Sequence, residues 1–119
     1  MMNLIYFVQL LAEEQNSNPE LEYLISNREM WFIPVVNPDG YAYNESIEPT
    51  GGGMHRKNRL NTNCGNGSNR GVDLNRNYGF GWGSNDIGSS PNPCSATYRG
   101  DVEFSEPETQ AVRDFIINH

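Results

Sequence analysis

The chain of 119 residues is short of basic residues, of long apolar runs and of hydrophobic residues in general, and each shortage excludes something. Eight Lys and Arg against 15 Asp and Glu give a net charge of −7. This argues against nucleic acid as the main partner, because phosphate binding needs a basic face. No apolar run is long enough to span a bilayer. Hydrophobic residues make up 36%, a low share for one compact domain, and the Gly, Asn, Ser and Pro in the middle predict long loops.

Cysteine is also scarce: Cys64 and Cys94 are the two in the chain. Free thiols, metal ligands and one disulfide are the alternatives. Two cysteines without a C-x-x-C pair make a poor zinc site. Their polar, loop-rich surroundings favour a disulfide, and with it secretion or another oxidising compartment.

Two helices are predicted in the first quarter of the chain. Apolar residues recur at helical spacing over residues 4–11. Asn18 and Pro19 are typical of a helix start, with Asn18 as the N-cap and Pro19 at the first helical position. This second helix is expected to end at residues 27–28, and its predicted buried face is Leu21, Leu24 and Ile25.

Two strands are predicted next. The nearly continuous apolar run at residues 30–36 favours a strand with both faces buried in a parallel or mixed sheet. The sequence NPDG at residues 37–40 predicts a turn, and residues 41–70 predict no regular structure. A short strand is predicted at residues 72–74.

A closing helix is predicted after residue 104. Ser105 and Glu108 have the spacing of a capping box. The predicted buried stripe of this helix consists of Ala111, Val112, Phe115 and Ile116. Helices alternating with strands predict one α/β domain built on a layered sheet.

The segment GVDLNRN (residues 71–77) is the most informative in the chain. An Arg beside two amides forms a ready anion clamp, because guanidinium grips a carboxylate with two parallel hydrogen bonds and an amide donates a third. The alternative is a solvated strand end followed by a turn.

Five sequence words in order decide between these alternatives: PVVNPDGY (34–41), RKNR (56–59), GVDLNRN (71–77), PCSATYRG (93–100) and FSEPETQAVRDF (104–115). With them the chain resembles the zinc metallocarboxypeptidases over nearly its whole length. The resemblance implies that residues 1–119 are part of a catalytic domain of mixed-sheet α/β/α architecture with long loops. It also implies zinc-dependent hydrolysis of C-terminal residues from peptides, so that peptide or protein C-termini are the expected partners.

The resemblance assigns roles residue by residue. Asn75 and Arg76 correspond to the clamp for the substrate's terminal carboxylate. Arg56 corresponds to the catalytic Arg that polarises the scissile carbonyl, a role that suits a charged donor in a half-desolvated cleft. Asp73 corresponds to a carboxylate that orients a zinc-binding His through its other ring nitrogen. Some family members also have a disulfide between cysteines that flank the strand predicted at residues 72–74, which agrees with a Cys64–Cys94 bridge.

The departure from the family concerns the metal ligands. The chain has two histidines, His55 and His119, both expected to be solvent-exposed, and no His-x-x-Glu pair. The family's ligands precede and follow the segment that this chain matches. We therefore expect an internal fragment that alone neither holds zinc nor hydrolyses peptides, although the full-length enzyme would use zinc. Exposed sheet edges are expected to favour self-association.

Two alternatives to an enzyme fragment remain. A degenerate relative could bind C-terminal carboxylates through Arg56, Asn75 and Arg76 without catalysis. An unrelated disulfide-bridged, loop-rich domain conflicts with the five ordered words. Side-chain preference stays open. The segments at 44–46 and 66–68 match the N-glycosylation sequon.

Overall fold

A computed structural model describes residues 2–119, which divide into two compact units. The first unit ends at Val35, and the second is Val36–His119. The helices are α1 (Met2–Glu14), α2 (Pro19–Asn27), α3 (Pro38–Ile47) and α4 (Pro107–Asn118), with a 3-10 turn at Leu74–Arg76. None of the helices described is both long and apolar enough to cross a membrane.

The first unit contains α1 and α2, and the sequence located both helices. Asn18 caps α2 as predicted, since its side chain accepts a hydrogen bond from the backbone N–H of Glu20 at 3.0 Å. The predicted buried face of α2 is wrong, because no residue of α2 is buried. Among the described side chains of this unit, Leu11 of α1 is the one buried apolar residue.

The predicted mixed-sheet α/β/α layer is wrong for this chain. Residues 2–119 contain no strand, and only an isolated parallel bridge joins Ser90 to Tyr98. A strand exists only where a neighbouring strand pairs with its backbone, and the apolar run at residues 30–36 finds none within this chain. Its side chains Phe32 and Ile33 are consequently exposed by 37% and 44%. Self-association stays a prediction.

In the second unit, the predicted turn at residues 37–40 is instead the start of α3. Asn37 caps α3 by accepting a hydrogen bond from the N–H of Gly40 at 2.9 Å, and Pro38 takes the first helical position. Asn followed by Pro suits both a turn and a helix start. The prediction of no regular structure therefore holds only beyond the end of α3 at Ile47.

The closing helix α4 lies where the sequence placed it, but its predicted cap and stripe are wrong. Glu106 is the N-cap and makes no side-chain capping bond, while the Ser105 hydroxyl donates to the Glu106 carboxylate instead. Thr109 is the buried residue of α4. Of the predicted stripe, Ala111 and Ile116 are exposed and Val112 and Phe115 are half-buried, so none of these four residues is buried among the described residues.

The core of the second unit is mostly polar. Its buried apolar residues are Val72, Leu74 and Tyr98. Six polar or charged side chains are buried with them: Lys57, Asn58, Asp73, Asn77, Glu106 and Thr109. Buried polar groups must be hydrogen-bonded, so the position of each of these side chains is closely specified.

Candidate functional site

A cleft of about 420 Å³ in the second unit brings the predicted site residues together. We call it the arginine cleft. Its lining consists of Val36, Asn37, Arg56, Asp73, Leu74, Asn75, Arg76 and Tyr78. All four residues that the resemblance singled out for substrate or metal chemistry are thus at one site, although Arg56 is 20 positions from Arg76 in the sequence.

The floor of the cleft is set by single backbone hydrogen bonds on each side of residues 72–73. The Val72 carbonyl accepts from the N–H of Asn58 at 3.0 Å, and the Asp73 N–H donates to the Tyr98 carbonyl at 2.8 Å. One bond on each side does not make a ladder, which is why the strand predicted at residues 72–74 is wrong. The chain then enters the 3-10 turn, and this turn presents Asn75 and Arg76 at the cleft.

Gly71 allows the close approach that these bonds require. Its φ is +95°, and a Cβ there would lie 1.9 Å from the carbonyl oxygen of Asn58. Only glycine adopts this backbone conformation without strain and leaves that space free. The glycine at the start of GVDLNRN is therefore explained by the contact with Asn58.

Arg56 and Asp73 form an ion pair inside the cleft. Nη2 of Arg56 lies 3.0 Å from Oδ2 of Asp73, and the Arg56 side chain is 56% exposed while that of Asp73 is 4% exposed. Nη2 of Arg56 donates to the carbonyl of Ala96 at 3.2 Å, and the buried Oδ2 accepts no hydrogen bond from the described residues. Its partner oxygen Oδ1 accepts from the N–H of Asn75 at 3.2 Å. Asp73 therefore keeps one buried acceptor position for a further donor.

Arg76 and Asn75 differ in how firmly they are held. Nε of Arg76 donates to the Gly88 carbonyl at 2.7 Å, and Nη1 donates to the Asn75 carbonyl at 3.0 Å. Nη2 of Arg76 and the side-chain amide of exposed Asn75 make no hydrogen bond with the described residues. The guanidinium is thus oriented by two bonds while retaining donors for a ligand.

Tyr78 adds a phenol to the lining of the cleft. Burial raises the pKa of Tyr78 above its usual value, so the hydroxyl stays protonated at neutral pH and remains a hydrogen-bond donor. The ring of Tyr78 also stands edge-on to that of Phe104, with 5.8 Å between centroids.

Three further residues hold the site in place, and their roles were not predicted from the sequence. Nδ2 of Asn37 donates to the carbonyls of Arg56 at 3.2 Å and Lys57 at 3.0 Å, so the cap of α3 also fixes the backbone of the catalytic candidate. These residues are Asn37, Lys57 and Asn77, and each lies inside one of the five sequence words, which was the signal available for finding them.

Lys57 is 2% exposed and crosses the interior of the unit. Its Nζ donates to the carbonyls of Asn69 at 2.8 Å and Ser95 at 2.7 Å. Burial lowers the pKa of Lys57 below its usual value, and the nearby Asp73 carboxylate opposes that shift. Lys57 thus connects the loop that contains Asn69 to the loop that contains Ser95, and neither residue lies in a helix or strand.

Asn77 is fully buried and connects the 3-10 turn to α4. Nδ2 donates to the carbonyls of Arg99 at 2.9 Å and Val102 at 3.1 Å, and to the hydroxyl of Ser105 at 2.9 Å. Oδ1 accepts from the hydroxyl of Thr109 at 2.7 Å. Asn77 directly follows Arg76, so this network positions the end of the turn that carries the clamp.

The disulfide that the resemblance implied is present: Cys64 and Cys94 are bonded, with 5.2 Å between their Cα atoms. It joins the loop before the cleft floor to the loop after it. The side chain of Arg59 supports the first loop by donating to the carbonyls of Asn66 at 2.8 Å and Gly67 at 3.1 Å.

His55 is half-buried rather than solvent-exposed, contrary to expectation. Its ring stands edge-on to that of Tyr43 at 4.8 Å, and its Nε2 lies 3.4 Å from the Asn58 carbonyl. Burial is the main cause that lowers the pKa of His55, and the cations of Arg59 and Lys57 add to the shift. His119 is exposed at the end of α4, as expected.

The residues present do not fit a zinc ion. Within the described part of the chain, no group of three or more His, Cys, Asp or Glu side chains is arranged to hold a metal. Zinc binding in proteins requires three or four such ligands. The orphaned Oδ2 of Asp73 could accept from a metal-bound imidazole, but this chain does not bring its own histidines there.

Comparison with known proteins identifies the family. The zinc carboxypeptidase family profile matches residues 2–119. Carboxypeptidase B of Bos taurus is 41% identical over 96% of this chain, which spans 25% of that protein, and metallocarboxypeptidase A of Trichophyton tonsurans is 40% identical over 80% of this chain and 21% of its own length. The chain thus spans about a quarter of the curated relatives that it matches.

Solved structures agree with the sequence relatives. Thrombin activatable fibrinolysis inhibitor is 31% identical with a TM-score of 0.77, covering 97% of this chain and 27% of its own. Carboxypeptidase A from Helicoverpa armigera is 42% identical with a TM-score of 0.58, covering 73% of this chain and 20% of its own. The chain belongs to the zinc carboxypeptidase family.

Proposed function

We propose that this chain forms the substrate-anchoring part of a metallocarboxypeptidase that hydrolyses C-terminal residues from peptides. Family membership supports the reaction class. The observation that carries the proposal is the arginine cleft, where Arg56, Asn75 and Arg76 line one cavity of about 420 Å³. A cavity of this size suits a single terminal residue with its carboxylate.

Arg76 and Asn75 bind the terminal carboxylate of the substrate. The two bonds that hold Arg76, to the carbonyls of Gly88 and Asn75, reduce the entropy lost when the guanidinium grips a ligand. Its remaining N–H groups and the exposed Asn75 amide supply the donors that a carboxylate requires. A substrate without a free terminal carboxylate would leave these donors unpaired, and this restricts binding to chain ends.

Arg56 polarises the carbonyl of the bond to be cleaved. Its side chain is 56% exposed and lines the cleft, and its guanidinium is held by the ion pair with buried Asp73 and by the hydrogen bond to the Ala96 carbonyl. A positive group fixed in a partly desolvated cleft stabilises the negative charge that develops on an attacked carbonyl oxygen. The half-exposed setting is consistent with this role.

Zinc would supply the activated water in a complete enzyme of this family, but the residues of this chain do not fit the ion. We therefore assign no step through the metal to this chain, and we expect it to bind carboxylates without hydrolysing peptides. Asp73 is proposed to orient a zinc-binding His supplied by another segment, because its Oδ2 is buried and accepts no hydrogen bond from the described residues.

The bonded cysteines bear on where the protein works. Disulfides form and persist in oxidising compartments, and Cys64–Cys94 is formed here. Together with the family this supports secretion or another oxidising compartment as the site of action.

The clamp is tested by substituting Arg76→Ala and titrating the chain with an N-acetylated amino acid, followed by NMR. Loss of charge-assisted hydrogen bonds is expected to weaken binding by roughly tenfold or more. Arg113→Ala is the matched control, since it removes the same charge from α4 at a residue outside the cleft lining.

Equal effects of the two substitutions would show that the ligand responds to overall charge, and the assignment of Arg76 would then be withdrawn. Incubation of the unsubstituted chain with zinc and a free-carboxylate dipeptide checks the second part of the proposal. Turnover by the chain alone would contradict the proposal that it binds carboxylates without hydrolysing peptides.

A further inference from the structure

The chain carries two N-glycosylation sequons, and their asparagines differ in burial and in hydrogen bonding. Asn44-Glu45-Ser46 lies in α3, whereas Asn66-Gly67-Ser68 lies in the loop beside Cys64. Both have the Asn-x-Ser pattern without Pro in the middle, so the sequence alone gives them equal standing. Their surroundings distinguish them.

Asn44 is engaged at both ends of its amide. Nδ2 donates to the carbonyl of His55 at 2.7 Å, and Oδ1 accepts from the N–H of His55 at 2.8 Å. The residue is half-buried. Gly53 approaches so closely that a Cβ on it would lie 2.6 Å from Oδ1 of Asn44. The amide of Asn44 is therefore part of the fold, where it holds the segment before Arg56.

A sugar on Asn44 would remove one of these two bonds. Because both bonds go to the same residue, the N–H that donates lies on the carbonyl side of the amide. A substituted amide prefers the trans arrangement, which places the substituent at that same position. Glycosylation of Asn44 would therefore replace the donor to His55 with a bulky group.

Asn66 is neither half-buried nor held by a hydrogen bond from its Nδ2. It is exposed, as are Gly67 and Ser68 on its C-terminal side. Oδ1 accepts from Nη1 of Arg70 at 3.2 Å, and Nδ2 makes no hydrogen bond with the described residues. A sugar on Nδ2 would leave the bond through Oδ1 intact.

We propose that Asn66 is an N-glycan acceptor in a eukaryotic secretory pathway and that Asn44 is not. In this reaction Nδ2 of Asn66 forms a bond to the anomeric carbon of a lipid-linked oligosaccharide. The bond from that carbon to the pyrophosphate oxygen breaks, the nitrogen loses one proton, and the lipid pyrophosphate leaves. The amide acceptor and the oligosaccharide donor account for all atoms, and no oxidant or reductant is needed.

The location of Asn66 is consistent with this chemistry and with the arginine cleft. Cys64 lies two residues before it and is in a disulfide, which requires an oxidising compartment such as the one in which N-glycans are added. No residue between positions 60 and 70 lines the cleft. A glycan on Asn66 would thus leave the carboxylate-binding residues accessible.

The test is expression of the chain behind a secretory leader in yeast or mammalian cells, with intact mass measured before and after peptide-N-glycosidase. Both the secreted and the cell-retained pools are analysed, so that a folding defect does not hide the modification. The unsubstituted chain is expected to carry one glycan. Ser68→Ala, which keeps Asn66 but destroys its sequon, is expected to remove that glycan completely.

Ser46→Ala is the matched control, because it destroys the other sequon and leaves the Asn44 amide in place. It is expected to keep the single glycan. Absence of a glycan on the unsubstituted chain, its persistence in Ser68→Ala or its loss in Ser46→Ala would each overturn the proposal.

Discussion

At the scale of single residues, the site depends on buried asparagines rather than on an apolar core. Asn58 accepts from the N–H of Val72 at 2.8 Å and donates to the carboxylate of Glu106. Asn77 similarly joins the 3-10 turn to α4. A carboxamide both donates and accepts, so one such side chain can fix two loops that lack a ladder of their own.

Asn77→Ala is expected to destabilise the second unit by about 2–4 kcal/mol. The substitution leaves several buried groups without partners, among them the N–H of Glu106, which donates to Oδ1 of Asn77 at 3.2 Å. Urea unfolding followed by tryptophan fluorescence measures the loss. Asn75→Ala is the control: this exposed neighbour should change stability little while weakening carboxylate binding. Comparable stability losses in both variants would contradict the account.

The lowered pKa of His55 makes the stability of the second unit depend on pH, and its direction gives the sign of that dependence. Burial and the nearby cations lower its pKa in the folded state below 6.5. As pH falls through 6.5, the unfolded chain therefore takes up the proton first, and stability is lost between pH 6.5 and the lower folded pKa. Above pH 6.5 this contribution is fully present.

His55→Gln is expected to flatten the stability profile between pH 7 and pH 5, as followed by thermal unfolding. Both proteins have the same acidic residues, so the difference between their two profiles isolates the contribution of His55. An unchanged slope in the variant would mean that His55 is not the group responsible.

At the scale of elements, the sequence located all the long helices at the two ends but failed wherever structure depends on a distant partner. The cap at Asn18 is a local feature that local residues determine, and α4 lies where it was predicted although its predicted capping box does not form. The strands predicted at residues 30–36 and 72–74 are wrong, because pairing with another strand cannot be seen in the strand itself. α3 was missed since Asn followed by Pro was interpreted as a turn.

The same distinction holds for the site. The five words led to Arg56, Asp73, Asn75 and Arg76, and the structure places these four at one cleft. The supporting residues were not predicted, because their partners lie far away in the sequence. Asn37 reaches the carbonyls of Arg56 and Lys57, for example, and no local pattern signals such a contact.

Asn37→Ala is therefore expected to do more than remove a helix cap. Loss of the cap alone costs about 1 kcal/mol, and loss of the two bonds to the Arg56 segment adds a similar amount. Asn18→Ala, which removes only the cap of α2, is the matched control. NMR shifts of Arg56 should move in the Asn37 variant and stay fixed in the Asn18 variant; the reverse would refute the link between α3 and the site.

At the scale of the whole molecule, the charge of the cleft opposes that of the chain. The net charge is −7, yet Arg56 and Arg76 both line the arginine cleft. Asp73 is the one acidic residue of the lining, so two cations against one carboxylate leave the cleft positive in a chain whose net charge is negative, and a carboxylate is attracted there. This distribution is suited to recognising a single terminal carboxylate.

The disulfide is expected to stabilise the second unit by about 3–4 kcal/mol, because it closes a loop of sequence separation 30 in a region without strands or helices apart from one turn. Replacing both cysteines by alanine should lower the unfolding free energy by this amount, measured in urea. A change below about 1 kcal/mol would show that the polar network holds these loops without it.

The central claim is that the cleft recognises a free terminal carboxylate. Its most direct test is an NMR titration of the unsubstituted chain with an N-acetylated amino acid and, separately, with the amide of the same compound. The account predicts that the free acid shifts the signals of Arg56, Asn75 and Arg76 and binds at least about tenfold more tightly than the amide. Equal affinity for the two compounds, or shifts confined to residues outside the cleft, would contradict it.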